Sequence, residues 1–169
     1  MTLKPNVLSL FIVLLIFSLA SCSKDSSSNP SNNNNQASSH KITATITGAI
    51  TKSFNCTTAS YVVVSINGAT QTSISGYDGN QTNGYYITMN FVDLEMKPQT
   101  IDVQSSTSSV IQVIKYTNST PEQFMALAGT ITLTEYTASE IKGTFEFSGK
   151  SLTLGTDFQV TDGTFDITK

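Results

Sequence analysis

From residue 40 onwards, hydrophobic and polar positions alternate with a period of two, which is the pattern of strands that bury one face. The alternation is clearest at residues 42–47 (ITATIT) and 141–147 (IKGTFEF). Further strand-like runs occupy residues 61–66, 69–77, 85–91, 100–103, 110–116, 129–136 and 158–168. Runs of this length, separated by short turns, predict an all-β domain in which about eight or nine antiparallel strands form a sandwich or a barrel.

Turn residues between these runs predict how neighbouring strands connect. Asn67-Gly68 predicts a β-hairpin, and the stretch from Asp78 to Gly84 predicts a polar loop. Asp162-Gly163 lies close to the end of the chain, and we expect a bulge within the last strand there. Residues 120–123 (TPEQ) combine an N-cap threonine, a proline and a capping-box glutamine, so they predict a helix of one or two turns over residues 124–127.

The first 21 residues have the features of a secretory signal peptide. Lys4 supplies a positive charge, and the apolar stretch from Val7 to Ala20 is shorter than the roughly twenty residues that span a bilayer. The sequence from Leu19 to Cys22 (LASC) resembles the bacterial lipobox. This resemblance implies cleavage before Cys22 and lipidation of its thiol and amine. An ordinary secretory signal followed by a chance cysteine is the alternative.

Residues 22–39 form the expected link between the lipid and the folded domain. After Cys22 this segment consists mainly of Ser and Asn, so it buries too little apolar surface to fold and we expect a disordered tether. Ser23 follows the lipidated cysteine in place of the aspartate that retains lipoproteins in the inner membrane. Lys24-Asp25 resembles a lysine-plus-acidic surface signal of Bacteroidetes lipoproteins, with one acidic residue instead of two. Outer-membrane anchoring is expected, on either the periplasmic face or the cell surface.

Residues 40–169 are long enough for a single domain with one core, and their composition excludes some partners. They contain seven lysines, eleven acidic residues and neither Arg nor Trp. This mildly acidic balance argues against a nucleic-acid partner, which needs a basic surface. Without Arg, the domain lacks the side chain that usually binds phosphate and carboxylate groups through bidentate hydrogen bonds. Cys56 is the only cysteine after Cys22, so no disulfide is expected within the domain.

The residues that most often perform catalysis are sparse. His40 is the sole histidine and lies where the tether meets the domain, so neither a catalytic triad nor a His/Cys metal site is expected. Cys56 is interpreted as a buried, inert thiol rather than a reactive one, because no base lies closer in sequence than Lys52. Asp93 and Glu95 would share a strand face, but no recognised loop spacing accompanies them, and solvated carboxylates explain them best. We therefore expect no enzyme, no metal and no cofactor.

Aromatic residues flank the predicted polar loop and are the candidate ligand contacts. Tyr77 precedes the loop, and Tyr85 and Tyr86 follow it. Aromatic rings beside polar loops can stack on sugars, which makes these three tyrosines the predicted ligand site. Tyr85 and Tyr86 are adjacent, so one of them faces the core and the other faces outwards.

Three segments of the C-terminal third carry a family resemblance. They are residues 129–134 (GTITLT), 141–147 (IKGTFEF) and 160–167 (VTDGTFDI), and the hairpin at residues 65–68 (SING) is consistent with them. Together they resemble small β-rich Bacteroidetes lipoproteins of unknown function. The resemblance implies a lipid anchor and an all-β fold, and it brings no catalytic residues.

The sequence thus predicts a membrane-anchored lipoprotein whose non-catalytic β-domain binds a ligand, a polymer or a partner protein at the cell envelope. The membrane is contacted through the lipid on Cys22, and a glycan or an envelope protein is the expected partner of the domain. The alternative hypothesis is a structural or assembly subunit of an envelope complex.

Overall fold

The computed structural model describes residues 39–104, 106 and 108–169. The predicted signal peptide, the predicted lipidation site Cys22 and all of the predicted tether before Ser39 lie outside the described residues. In the described part of the chain every regular element is a strand. No helix in this part is long and apolar enough to cross a membrane.

Ten strands form one antiparallel sheet, which confirms the predicted all-β fold. The strands are β1 (His40–Gly48), β2 (Lys52–Cys56), β3 (Ser60–Ile66), β4 (Ala69–Gly79), β5 (Asn83–Val92), β6 (Gln99–Asp102), β7 (Ser109–Thr117), β8 (Thr120–Tyr136), β9 (Glu140–Ser151) and β10 (Asp157–Thr168). Their spatial order is β2-β1-β10-β9-β8-β7-β5-β4-β3, and β6 pairs with β8 beside this path.

The sheet is curled into a half-barrel that wraps around a single hydrophobic core. Inward-facing positions alternate along the strands as the sequence predicts, and β9 shows this most clearly. The largest fully buried side chains are four phenylalanines, Phe54, Phe91, Phe124 and Phe165. The curl also brings β2 against β4, where the Sγ of Cys56 lies so close to Gly76 that a Cβ there would be 2.7 Å away.

Two of the predicted turn features are confirmed. Asn67 and Gly68 have φ angles of 52° and 86° and join β3 to β4 as a two-residue hairpin. Asp162 has a φ of 52°, and the pairing of β10 with β9 shifts between Val160 and Gly163, so the last strand contains a bulge. The polar loop is shorter than predicted, because β4 and β5 extend into it and leave only residues 80–82 between them.

The helix predicted over residues 124–127, with its start signal at residues 120–123, is wrong. These residues begin β8, and the pair before them, Asn118 and Ser119, has φ angles of 50° and 65° and forms the tight turn from β7. A capping sequence is only a local signal. Here the segment pairs with β7 on one side and, from Phe124 onwards, with β9 on the other. The pairing also buries Phe124 completely, and a short isolated helix would not do so.

The two ends of the sheet carry different connections. At one end β1 begins at His40 and β10 finishes, and the N–H of Thr168 donates to the carbonyl oxygen of Ser39 at 2.8 Å. The opposite end, called here the far end, carries the turns at residues 49–51, 80–82, 118–119 and 152–156. The chain therefore enters β1 at the opposite end of that strand from the turn at residues 49–51.

Candidate functional site

Tyrosines from β4, β5 and β7 meet on the outer face of the sheet, next to the far end. The ring centroids of Tyr77 and Tyr86 are 4.2 Å apart, with an interplanar angle of 26°. The ring of Tyr116 lies 6.4 Å from that of Tyr77. Tyr77 and Tyr116 are half-buried, whereas Tyr86 is only 8% exposed. We call these three residues the tyrosine cluster.

Strand pairing explains why residues so far apart in sequence share this position. Tyr77 on β4 lies directly opposite Tyr86 on β5, where the side chains are near neighbours. On the other side of β5, Ile114 lies opposite Tyr86, and Tyr116 follows two residues later on the same face of β7. The cluster is therefore built on three adjacent strands, which hold its rings more firmly than loops would.

The turn between β4 and β5 folds back against the outer face beside the cluster. A Cβ at Gly84 would be only 2.6 Å from the backbone nitrogen of Asn80, so the turn needs glycine at this position. The Oδ1 of Asn80 accepts the backbone N–H of Thr82 at 2.9 Å, and the carbonyl oxygen of Thr82 accepts the N–H of Ser119. These bonds tie two far-end turns together. In the β4–β5 turn, the side-chain amide of Gln81 donates to the hydroxyl of Tyr77 at 3.2 Å.

The environment of the cluster keeps the phenol of Tyr116 neutral. Burial raises the pKa of Tyr116 to about 12, and the neighbouring Tyr77 adds to the shift by repulsion and by a side-chain hydrogen bond. A phenolate in this position would lose hydration and would face the oxygen of Tyr77. At physiological pH the hydroxyl group of Tyr116 is therefore uncharged.

Uncharged polar side chains continue along the outer face from the tyrosines. Ser73 donates to the Oδ1 of Asn90 at 2.5 Å, and the Nδ2 of Asn90 donates to Thr88 at 3.1 Å. Gln112 lies opposite Thr88 on the neighbouring strand, and both are buried although they face away from the core. We call Ser73, Thr88, Asn90 and Gln112 the polar strip. The tyrosine cluster and the polar strip together combine aromatic faces with hydroxyl and amide groups.

The structure brings together two of the three predicted ligand-contact tyrosines. Tyr77 and Tyr86 stack, but Tyr85 lies on the opposite face, where its ring packs against the core. The ammonium of Lys52 lies 5.6 Å from the ring centroid of Tyr85, and it pairs with Asp78 at 3.0 Å. Tyr85 therefore belongs to the junction between β2 and β4.

Tyr116 belongs to the cluster, and sequence reasoning did not include it. It is 30 residues away from Tyr86, and β7 lies beside β5 only because β6 leaves the main path of the sheet. The alternation of β7 does place Tyr116 and Ile114 on one face, but nothing in the sequence indicates which strand is their neighbour.

Asp93 and Glu95, the candidate carboxylate pair, bind different partners. The Oδ1 of Asp93 accepts the backbone N–H of Thr70 at 2.8 Å, whereas Glu95 pairs with Lys97, and their hydrogen bond lowers the pKa of the Glu95 carboxyl. The two carboxylates thus serve different partners and do not act as a pair. Within the described ranges, no three His, Cys, Asp or Glu side chains are grouped so as to hold a metal ion.

Cys56 and His40, the remaining two candidate residues, both contact other parts of the fold. Cys56 is buried in the core, as predicted, where it packs against Gly76. The Nδ1 of His40 lies 3.2 Å from the carbonyl oxygen of Ala59, the residue before β3.

In comparisons with protein-family models, curated proteins and solved structures, nothing matches this chain. The resemblance to small β-rich Bacteroidetes lipoproteins therefore stays a prediction from the sequence segments that carry it.

Proposed function

We propose that this chain is a lipid-anchored, non-catalytic binding domain of the bacterial outer membrane, and that its ligand is a neutral glycan. The observation that carries the proposal is the tyrosine cluster, in which Tyr77 stacks on Tyr86 beside Tyr116. Aromatic side chains gathered on an outer sheet face offer apolar surface with polar tips, a combination that is common at binding sites.

The chemistry of the face favours a sugar. The C–H groups on one side of a pyranose ring pack well on an aromatic face, and its hydroxyl groups need donors and acceptors nearby. Gln81, which is exposed, and the half-buried Ser73 and Asn90 of the polar strip supply amide and hydroxyl groups of both kinds. An anionic ligand is disfavoured, because the chain contains no Arg to bind it through two hydrogen bonds.

The position of the cluster suits a tethered binding domain. The chain enters the sheet at His40 on β1, whereas the cluster lies on the outer face of β4, β5 and β7. If Cys22 carries lipid and residues 23–39 form a tether, the domain is attached through a strand that carries no cluster residue. A flexible tether of this length spans on the order of 20–25 Å, so the face remains accessible above the membrane surface.

Affinity electrophoresis of the full-length protein in mild detergent tests the ligand. Gels are cast with neutral β-glucan, mannan or galactan, and with an anionic uronic-acid polymer as comparison. We expect at least one neutral polymer to retard the protein. Tyr77→Ala should weaken that binding about fivefold, since an aromatic contact contributes about 1 kcal/mol, whereas Tyr77→Phe should retain most of it.

The matched control is Thr144→Ala, which alters an exposed position on β9, a strand that carries no cluster residue. Thermal unfolding of each variant shows whether the fold is intact. Equal mobility of the native protein in all four gels, or equal retardation of the native protein and Tyr77→Ala, would contradict a glycan site at the cluster.

The second candidate is a structural or assembly subunit of an envelope complex. It is favoured by one specific observation, the open edge of β3, whose exposed valines lie at one end of the sheet order. Crosslinking in intact cells separates the candidates, because an assembly subunit should yield one stoichiometric protein partner, whereas a glycan-binding domain should not.

A further inference from the structure

Strand β3 forms an open edge of the sheet. It stands last in the strand order, with β4 on one side. Among the residues that the structure describes, no backbone hydrogen bond joins the other side of β3 to another strand. An unpaired strand edge is a ready template for pairing with a further strand.

The β3–β4 hairpin determines which backbone groups face this open edge. Its two-residue turn makes Ile66 and Ala69 a hydrogen-bonded pair. Because pairing alternates along an antiparallel ladder, the N–H and C=O groups of Tyr61, Val63 and Ser65 point away from β4. The open edge therefore carries three donors and three acceptors, centred on Val63.

The side chains of β3 do nothing to block such pairing. The strand reads SYVVVSI and contains no charged residue, no Pro and no Gly. Val62 and Val64 point outwards and are 49% and 45% exposed. Proteins usually protect an edge with charge, a proline or a bulge, and an uncharged β-branched strand has none of these.

The other edge strand, β2, is protected. It has only five residues and includes Lys52. The backbone N–H of Asn55 donates to the Oδ2 of Asp78 at 2.9 Å, and Lys52 pairs with the same carboxylate at 3.0 Å. A side chain from β4 thus binds the backbone of β2, whereas no side chain in the described part of the chain is hydrogen-bonded to the open edge of β3.

We propose that β3 pairs with β3 of a second copy of this chain, antiparallel and across a two-fold axis at Val63. In this register Tyr61 lies opposite the second copy's Ser65, and about six backbone hydrogen bonds form, more than a shifted register allows. Val62 lies opposite the second copy's Val64, and the reverse contact forms by symmetry. The four exposed valines then make one patch that is shielded from water.

A second copy fits this edge because the strand is complementary to itself. It is uncharged, so two copies meet without the like-charge repulsion that opposes self-pairing of charged strands. The centred register also places apolar side chains opposite apolar side chains on the outer face. This dimer does not depend on the glycan proposal, because it uses the backbone of β3 and leaves the tyrosine cluster on β4, β5 and β7.

Cysteine crosslinking in membranes tests the register in the full-length protein. Val62→Cys and Val64→Cys chains with different epitope tags are co-expressed and then oxidised. We expect a disulfide that joins the two tags, because these positions face each other at about 4.5 Å between Cα atoms. Val62→Cys chains on their own should crosslink at least fivefold less. Position 62 of one copy and position 62 of the other are diagonal neighbours, with their Cα atoms about 7–8 Å apart.

Leu152→Cys is the matched control, because Leu152 is 58% exposed but lies in the β9–β10 turn. The native protein controls for Cys56, which is buried. The proposal is overturned if no mixed-tag product forms, if Leu152→Cys crosslinks equally well, or if the cysteines on β3 capture a different protein instead of a second copy.

Val64→Lys provides an independent measurement. Sedimentation of the detergent-solubilised protein should show a dimer for the native chain and a monomer for Val64→Lys, because the lysine would face the second copy's Val62. Val64→Thr, which keeps a β-branched side chain, should remain dimeric. A Val64→Lys protein that stays dimeric, or a native protein that is monomeric, would overturn the proposal, and the thermal unfolding curve shows that the variant is folded.

Discussion

At the tyrosine cluster, burial and the neighbouring Tyr77 raise the pKa of Tyr116 from 10.0 to about 12. In the unfolded chain this phenol returns to its ordinary pKa. Between these two values the folded state holds a proton that the unfolded state releases. Tyr116 therefore contributes stability that is constant below about pH 10 and is lost as the pH rises towards about 12.

Tyr116→Phe should remove this pH dependence, because the ring remains but the ionisable hydroxyl is gone. Urea unfolding at about pH 8, 10 and 11 measures the change in the free energy of unfolding. We expect the native protein to lose more stability over this range than Tyr116→Phe does. Absorbance near 295 nm provides a second measurement, since one of the six tyrosines should titrate near pH 12 in the native protein and be missing in the variant.

The chosen control is Tyr77→Phe, which removes the neighbouring hydroxyl and leaves Tyr116 in place. It should move the late tyrosine transition to a lower pH without abolishing it. Identical pH profiles for the native protein and Tyr116→Phe would mean that Tyr116 is not the group with the raised pKa.

At the scale of single residues, the sequence predicts which face of the sheet a side chain lies on. It predicts less well which other side chains it contacts. Period-2 alternation correctly separates Tyr85 from Tyr86, and Tyr77 lies on the same face as Tyr86 because the short turn between them pairs the two strands directly. Tyr116 could not be assigned to the cluster, because its position depends on a strand pairing between distant parts of the chain.

Among the elements, the start of β8 shows how a tertiary arrangement overrides a local signal. The segment has the cap, the proline and the glutamine of a helix N-terminus, yet it forms a strand because it lies between β7 and β9.

Strand β2 was not predicted, because its local sequence pattern is too weak to identify a strand. Its alternation is only five residues long, and just two positions, Phe54 and Cys56, are buried.

The β7–β8 turn is predicted to be a site where glycine stabilises the fold. Ser119 has a φ of 65°, a left-handed conformation that glycine adopts without strain and serine does not. Ser119→Gly should therefore raise the free energy of unfolding by about 0.5–1 kcal/mol, after the greater freedom of glycine in the unfolded chain is subtracted. Urea unfolding at neutral pH measures this change.

Ser119→Ala is the natural control for the β7–β8 turn. Alanine keeps the Cβ that causes the strain, so this variant should not be stabilised. If alanine and glycine at position 119 stabilise the protein equally, relief of backbone strain is not the cause.

On the scale of the whole molecule, the all-β class follows from the sequence, but the path of the sheet does not. Alternation identifies strands and their buried faces, and the short hairpins fix only neighbours in sequence. The departure of β6 and the curl that brings β2 against β4 result from contacts between distant segments. Those contacts also bring Gly76, the neighbour of Tyr77, against Ile42 and Cys56, so the position of the tyrosine cluster relative to the chain entry at His40 could not be predicted from the sequence.

The anchor itself is tested by Cys22→Ala, with Ser23→Ala as the matched control that leaves the lipidated thiol intact. We expect the native protein and Ser23→Ala to incorporate labelled palmitate and to sediment with the outer membrane, and Cys22→Ala to do neither. Lipid attachment through several acyl chains is effectively permanent, so release should be nearly complete. A full-length Cys22→Ala protein that stays bound to the membrane would contradict lipid anchoring.

Protease treatment of intact cells then decides between the two faces of the outer membrane. A glycan-binding domain that serves the cell exterior should be shaved from native cells, whereas a periplasmic domain should be cleaved only after the outer membrane is opened.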